Sequence, residues 1–323
     1  MNRISGQSKN RHRGLIIMIL SMTVILFGCL ETEESDYERQ ARIANEAIQK
    51  YLEENEIEAQ TSASGVSYLI LDENSGGEKV KENQIVSIVY KMSLLSGTPI
   101  ETHADTLNPV KFSNSYQSLI PLGLNYEIGK MRVGETFRFY LPAYLAFNKY
   151  SHPELFGAYS NFIMDVKVVA LQSEDQQLHR EHELIEEYLF SQDITEAEKR
   201  QSGLYYIETS TGTGNNPGGL SQVKLHYTRK YLDGTIIKTT VGDDPLVVSL
   251  GQNLLVKGFE EGVKLMKKGG KATLIMPSKI GFGKSVQVIP QVVRQDWVED
   301  ETISPDVLPY HPVIYEVELL EIM

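Results

Sequence analysis

Few side chains in this 323-residue chain are of a type and spacing to do covalent chemistry. His179, Glu181, His182 and Glu183 stand at helical spacing and could hold a metal ion. Two histidines among acids on a strongly charged helix read first as an exposed polar face, and no metal or other cofactor is expected. Cys29 is the only cysteine, so no disulfide can close within the chain. The remaining candidates are aromatic: Tyr227, Phe259, Phe282 and Tyr315. An inward tyrosine on a strand is ordinarily a core residue. It becomes a site only if the motifs around it make it one.

The elements that would position these rings can be read in turn. Val223, Leu225 and Tyr227 alternate with polar residues, which predicts a half-buried strand. Asp233-Gly234 predicts a hairpin turn. Phe259, Val263 and Met266 recur at helical spacing, and Gly269-Gly270 predicts the end of that helix. Residues 272–276 form a strand stopped by Pro277, and residues 313–322 a last strand. One short helix against an antiparallel sheet is an α+β layout.

The order of motifs is specific. Tyr227, Asp233-Gly234, Leu250-Gly251, Gly258-Phe259-Glu260-Glu261-Gly262, Met266, Pro277, Gly281-Phe282-Gly283 and Glu316-Val317-Glu318-Leu319-Leu320 together resemble the FKBP-type peptidyl-prolyl cis-trans isomerases. The resemblance implies an isomerase of X-Pro bonds. Such bonds interconvert through a twisted amide over a barrier of about 20 kcal/mol. No bond breaks, so neither nucleophile nor metal is needed. A dry, aromatic-lined bowl favours the twisted state, which has lost its charge separation.

In the second unit the resemblance places Tyr227, Phe259, Phe282 and Tyr315 at the catalytic positions, with Phe259 on the floor where tryptophan is usual. Ile237, Leu246, Leu255 and Val256 would bind substrate. A first unit, weaker in motif, carries Tyr90, Ile100, Glu101, Val110, Ile120, Leu124 and Phe147, with Met164 on its last strand. Departures are clear. Lys238 stands where the family has an acid, while Glu101 keeps one in the first unit. Phe282 and Phe147 lack the hydroxyl of the family's tyrosine, and Leu124 makes the first floor aliphatic. The expected activity is therefore weak. The alternative is a non-catalytic FKBP-like peptide-binding or chaperone module of an envelope complex.

The chain repeats itself. Ile48, Tyr51 and Leu52 recur as Ile185, Tyr188 and Leu189, and Ser64-Gly65 as Ser202-Gly203, at an offset the size of a whole domain. The expected organisation is a signal peptide at 1–29, an acidic tether and helix at 30–63, a divergent FKBP-like domain at 64–171, a linker helix at 172–201 and a second domain at 202–323. Ile43, Ala44, Ala47, Ile48, Tyr51 and Leu52 make one apolar helical stripe, and Leu184, Ile185, Tyr188 and Leu189 another. Both helices read as packing on their own domain or bridging to the next, with dimerisation the other reading. An insertion at 284–308 carries Ile289-Pro290, the lone Trp297 and several acids. It predicts a lid or partner-docking loop beside the second pocket.

The formal charge of −12 argues against nucleic acid as a partner. Arg3, Lys9, Arg11 and Arg13 precede an apolar run at 15–27 and then Gly28-Cys29, the layout of a secretory signal. The run is short for a span of about 20 residues. Residues 26–29 resemble a bacterial lipobox; an uncleaved anchor helix is the other reading. The lipobox implies membrane attachment through Cys29 in the cell envelope, on the periplasmic face of the outer membrane or at the surface. The duplication on a lipoprotein is similar to the gliding-motility-associated envelope isomerases of Bacteroidetes. Implied partners are proline-containing segments of exported proteins and other components of an envelope complex.

Overall fold

A helix, α1 (Asp36–Glu54), turns Ala44, Ile48 and Leu52 inward, one stripe at helical spacing. The first sheet follows, with β1 (Gln60–Thr61), β2 (Ser67–Asp72), β3 (Ile85–Leu94), β4 (Pro99–His103) and β5 (Val110–Ser113). β6 (Leu119–Ile120) leads into a short helix, α2 (Leu122–Glu127), and β7 (Thr136–Leu141) and β8 (Phe162–Gln172) complete the sheet. These elements come from a computed structural model that describes residues 34–242 and 244–323. Cys29 and the apolar run before it lie outside the described residues.

The second half repeats the first. α3 (Glu174–Ser191) is followed by β9 (Glu198–Lys199), β10 (Tyr205–Ser210), β11 (Gln222–Lys230), β12 (Ile236–Thr239) and β13 (Leu246–Ser249). Then come α4 (Lys257–Leu265), β14 (Lys271–Met276) and, after the insertion, β16 (Val313–Ile322). The first sheet runs β4-β3-β8-β7-β2-β1 and the second β12-β11-β16-β14-β10-β9, with β5 beside β3 and β13 beside β11. The two orders correspond strand for strand.

Period-two alternation gives each sheet two apolar faces. On β14, Leu274 and Met276 face the core under α4, while Ile275 faces the other way and packs with Ile185 and Leu189 of α3. Tyr140 and Ile163 receive Ile48 and Leu52 of α1 in the same manner. Each amphipathic helix therefore packs on its own domain. α3 starts at a capping box, in which Ser173 and Gln176 each bond the other's backbone N–H.

The inner helices sit unusually close to their sheets. A Cβ on Gly262 would lie 2.4 Å from Leu274 Cδ1, so only glycine allows this contact. α4 ends at Leu265, earlier than Gly269-Gly270 suggests. Met266 turns extended, which sends its side chain into the core, and Gly269 instead serves the turn into β14 at φ +77.

The insertion corrects the sequence reading. It is not a loop confined to the second domain. β15 (Gln287–Val288) pairs in parallel with β6 of the first domain, and α5 (Gln291–Glu299) follows directly from Pro290 at its N-cap. Between the domains, Lys111, Arg180, Tyr231 and His311 line a cavity of about 600 Å³.

Candidate active site

The second bowl is built from three elements. Residues 223, 225, 227 and 229 of β11 point to one face; Tyr315, Val317 and Leu319 of β16 point to the same side. α4 lays Phe259 beneath them. The Phe259 and Tyr315 rings stack at 4.4 Å between centroids, and Tyr227 meets Phe259 edge-on at 5.7 Å. Offset and edge contacts of this kind hold aromatic rings in fixed orientation. Ile237, Leu246, Leu255, Val256 and Phe282 stand half-buried around this floor. All eight residues expected at this site are thus in one cluster, its floor buried and its rim open.

Sequence reasoning missed Arg229. Its guanidinium lies 4.7 Å from the Phe282 ring centroid and 5.7 Å from that of Tyr315. Nη1 donates to the Tyr315 hydroxyl at 3.2 Å, and Nη2 donates to both carboxylate oxygens of Asp306. Its Nε–H is buried and has no partner among the described residues. Burial pushes the Tyr315 hydroxyl up to about 12, against the pull of the Arg229 charge, so it stays protonated. Lys238, at the family's acidic position, is exposed. The carboxylate beside this bowl comes from Asp306 instead. Alternation along β11 places residue 229 inward; Asp306, far off in sequence, gave no signal.

The first bowl has the same plan but is closed. Leu124 forms its floor, completely buried, with Met164 beside it. Tyr90 and Phe147 are 4% and 5% exposed, while Ile100, Val110 and Ile120 pack half-buried at the edge. Tyr90 donates its hydroxyl hydrogen to Glu101. Burial, and then the charge of Glu101, raise its pKa above the tyrosine range. Closure is the work of the insertion. Val288, Ile289 and Val293 are at most 1% exposed and belong to the core of this domain. Trp297 sets its ring edge-on against Tyr150 at 5.5 Å and Phe147 at 6.1 Å.

The histidine–acid cluster on α3 is structural. His179 and Glu183 pair at the surface. Glu181, expected to be exposed, is fully buried: it accepts from the backbone N–H of Ser278 at 2.6 Å, from the Ser278 hydroxyl and from Gln177. It thereby anchors the turn that carries Phe282. Among the described residues no cluster of metal-ligating side chains occurs.

Two bowls, each with an antiparallel sheet curled over one short helix, agree with sequence comparison. The profile of the FKBP-type peptidyl-prolyl cis-trans isomerase family matches residues 76–169 and 214–320. The chain belongs to this family. A stretch of the chain is similar to an FK506-binding protein of Neisseria meningitidis serogroup B, 30% identical over 123 residues, covering 37% of this chain and 96% of that protein. A probable FKBP-type peptidyl-prolyl cis-trans isomerase of Haemophilus influenzae is 29% identical over 123 residues, 38% of this chain and 44% of its own length. The FKBP-type isomerase FkpA of Aeromonas hydrophila is 38% identical over 101 residues, 31% of this chain and 37% of its own. The chain thus spans less than half the length of the latter two relatives. The solved structure of the three FKBP domains of wheat FKBP73 aligns over 82% of this chain and 99% of its own, at 18% identity and a TM-score of 0.32.

Proposed function

We propose that the second FKBP domain is a peptidyl-prolyl cis-trans isomerase that assists the folding of exported proteins. The observation that carries this reading is the aromatic floor of Tyr227, Phe259 and Tyr315 under a half-open apolar rim. A planar X-Pro amide is polar and well solvated. Twisted, it is less polar, so a dry ring-lined bowl disfavours it less than the ground state. Uncatalysed, the step takes tens of seconds and limits folding.

Arg229 supplies a charged group to a bowl that lacks the family's tyrosine hydroxyl at Phe282. Twisting returns a lone pair to the amide nitrogen. That nitrogen then accepts a hydrogen bond it cannot accept when planar. The Arg229 guanidinium lies against the Phe282 ring, held by Asp306 and Tyr315, and its positive charge beside the bowl favours that lone pair; its Nε–H is itself buried. An interaction available only in the twisted state is one that raises the rate.

The site of action is the cell envelope. The support is the basic–apolar–Gly28-Cys29 order at the N-terminus, which fits lipid attachment at Cys29; among the described residues no helix is long and apolar enough to cross a membrane. Outer-membrane attachment and envelope partners follow from the same reading.

The test is isomerisation of a proline-containing peptide by the full chain in detergent, beside Phe259→Ala. Acceleration that disappears with Phe259→Ala in a folded protein is the expected result. Lys238 and Phe282, both departures from the family's polar set, favour a second reading as a peptide-binding module. Peptide binding without acceleration would select that one.

A further inference from the structure

A segment of this chain packs into the first bowl. Residues 287–289 run parallel to the bowl wall: the Gln287 N–H donates to the Ser118 carbonyl at 2.9 Å and the Ile289 N–H to the Ile120 carbonyl at 3.0 Å. Two residues on, the Gln291 N–H donates to Glu101 Oε2 at 2.9 Å. Pro290, itself buried, thus lies between a strand bonded to the wall residue Ile120 and a backbone amide bonded to the acid of the bowl. Val288, Ile289 and Val293 fill the apolar space, and Tyr150 holds Asp296 at 2.5 Å at the far end. Strand addition by main-chain bonds with alternate side chains in pockets is a general mode of peptide recognition.

We propose that the first FKBP domain is a self-liganded proline-peptide site. Residues 287–297 occupy it in cis, and an external segment enters only by displacing them. The equivalent positions of the two bowls differ as this requires. Tyr90 and Phe147 are buried, while Tyr227 and Phe282 are only partly buried. The occupant also states what the bowl accepts: two β-branched residues, proline, then a residue whose N–H meets Glu101, as in Val288-Ile289-Pro290-Gln291. The segment is held from behind as well. Arg294, also buried on α5, donates to the carbonyls of Pro305 and Val307, and the intervening Asp306 pairs with Arg229. The piece that fills the first bowl therefore continues into the rim of the second. This inference does not rest on turnover by the second domain; an inactive second site would leave it standing.

Trp297 is the only tryptophan, so its fluorescence reports the seat directly. In the full chain in detergent its emission is expected to be blue-shifted and poorly quenched by acrylamide, independent of protein concentration. The paired substitution Ile289→Asp and Val293→Asp is expected to shift emission to the red and raise quenching several-fold. A synthetic peptide with the sequence of residues 285–294 is then titrated calorimetrically. The substituted chain is expected to bind one equivalent more than the wild type, and to lose that equivalent when Leu124→Arg is added. Equal stoichiometry in wild type and folded variant would overturn the proposal. So would quenching that rises on dilution, which would mean that the occupant comes from a second chain. If the variant does not fold, hydrogen exchange on the wild type decides. Slow exchange of the Gln287, Ile289 and Gln291 amides supports a filled bowl, and exchange at the rate of exposed loops refutes it.

Discussion

Arg229 shows what a single side chain adds to an otherwise apolar bowl. A lysine there keeps the charge but loses the planar fork that Asp306 and Tyr315 grip. Arg229→Lys is expected to lower kcat and kcat/KM together by about 10- to 100-fold, the worth of one charge-assisted hydrogen bond of roughly 1.5–3 kcal/mol. Peptide isomerisation kinetics check it; a rise in KM alone would show that Arg229 acts on binding. The ring positions were legible in the sequence because the motif order fixed them. Arg229 was not, because a charge at an inward strand position is meaningful only with its partner, and Asp306 is contributed by another part of the chain.

At the scale of elements, close packing and buried anchoring set the tolerances. Gly262→Ala would drive a methyl into Leu274 and is expected to cost about 1–3 kcal/mol, read as a lowered denaturant midpoint. Glu181→Ala tests the link from α3 to the second site. It leaves the Ser278 N–H and hydroxyl without their buried acceptor, at an expected cost of about 2–5 kcal/mol in global stability. The turn carrying Phe282 should also exchange its amides faster. A stable protein with an unchanged turn would mean that water replaces the carboxylate. The strands and inner helix of the second domain were readable because period-two alternation, the helical spacing of Phe259, Val263 and Met266, and Pro277 mark them. The element that went unread is α5. Its apolar residues Val292, Val293 and Trp297 have no face of their own domain to match, since the surface they complete belongs to the other copy.

Across the whole molecule, the two domains meet at a cleft lined by His311. Burial pushes the His311 imidazole below its ordinary range. Lys111 and Arg294 add to this, against the Pro309 carbonyl and Asp233. A histidine with a lower pKa folded than unfolded binds its proton more readily once unfolded. Its contribution to stability is full above the unfolded value of about 6.5 and is lost progressively as pH falls from there toward and through the lower folded value. The midpoint of urea unfolding is expected to drop between about pH 7.5 and pH 5.5, and to drop less in His311→Gln. His182, lowered in the same direction by burial, accounts for part of the remainder. An identical pH slope in the variant would remove His311 from this role.

The chain order of the filled bowl has a temporal meaning. Synthesis delivers the N-terminal end first. The last strand of the first domain, β8, ends at Gln172, while the segment seated in that domain starts at Gln287. At about 5–20 residues per second, the roughly 115 residues between them take about 6–23 s to appear. For that interval a nascent first domain has its cup built and its own stopper unmade. On the proposed self-liganding, each molecule passes once through a state in which its first bowl faces whatever else is emerging nearby, and then seals itself as its last 37 residues arrive.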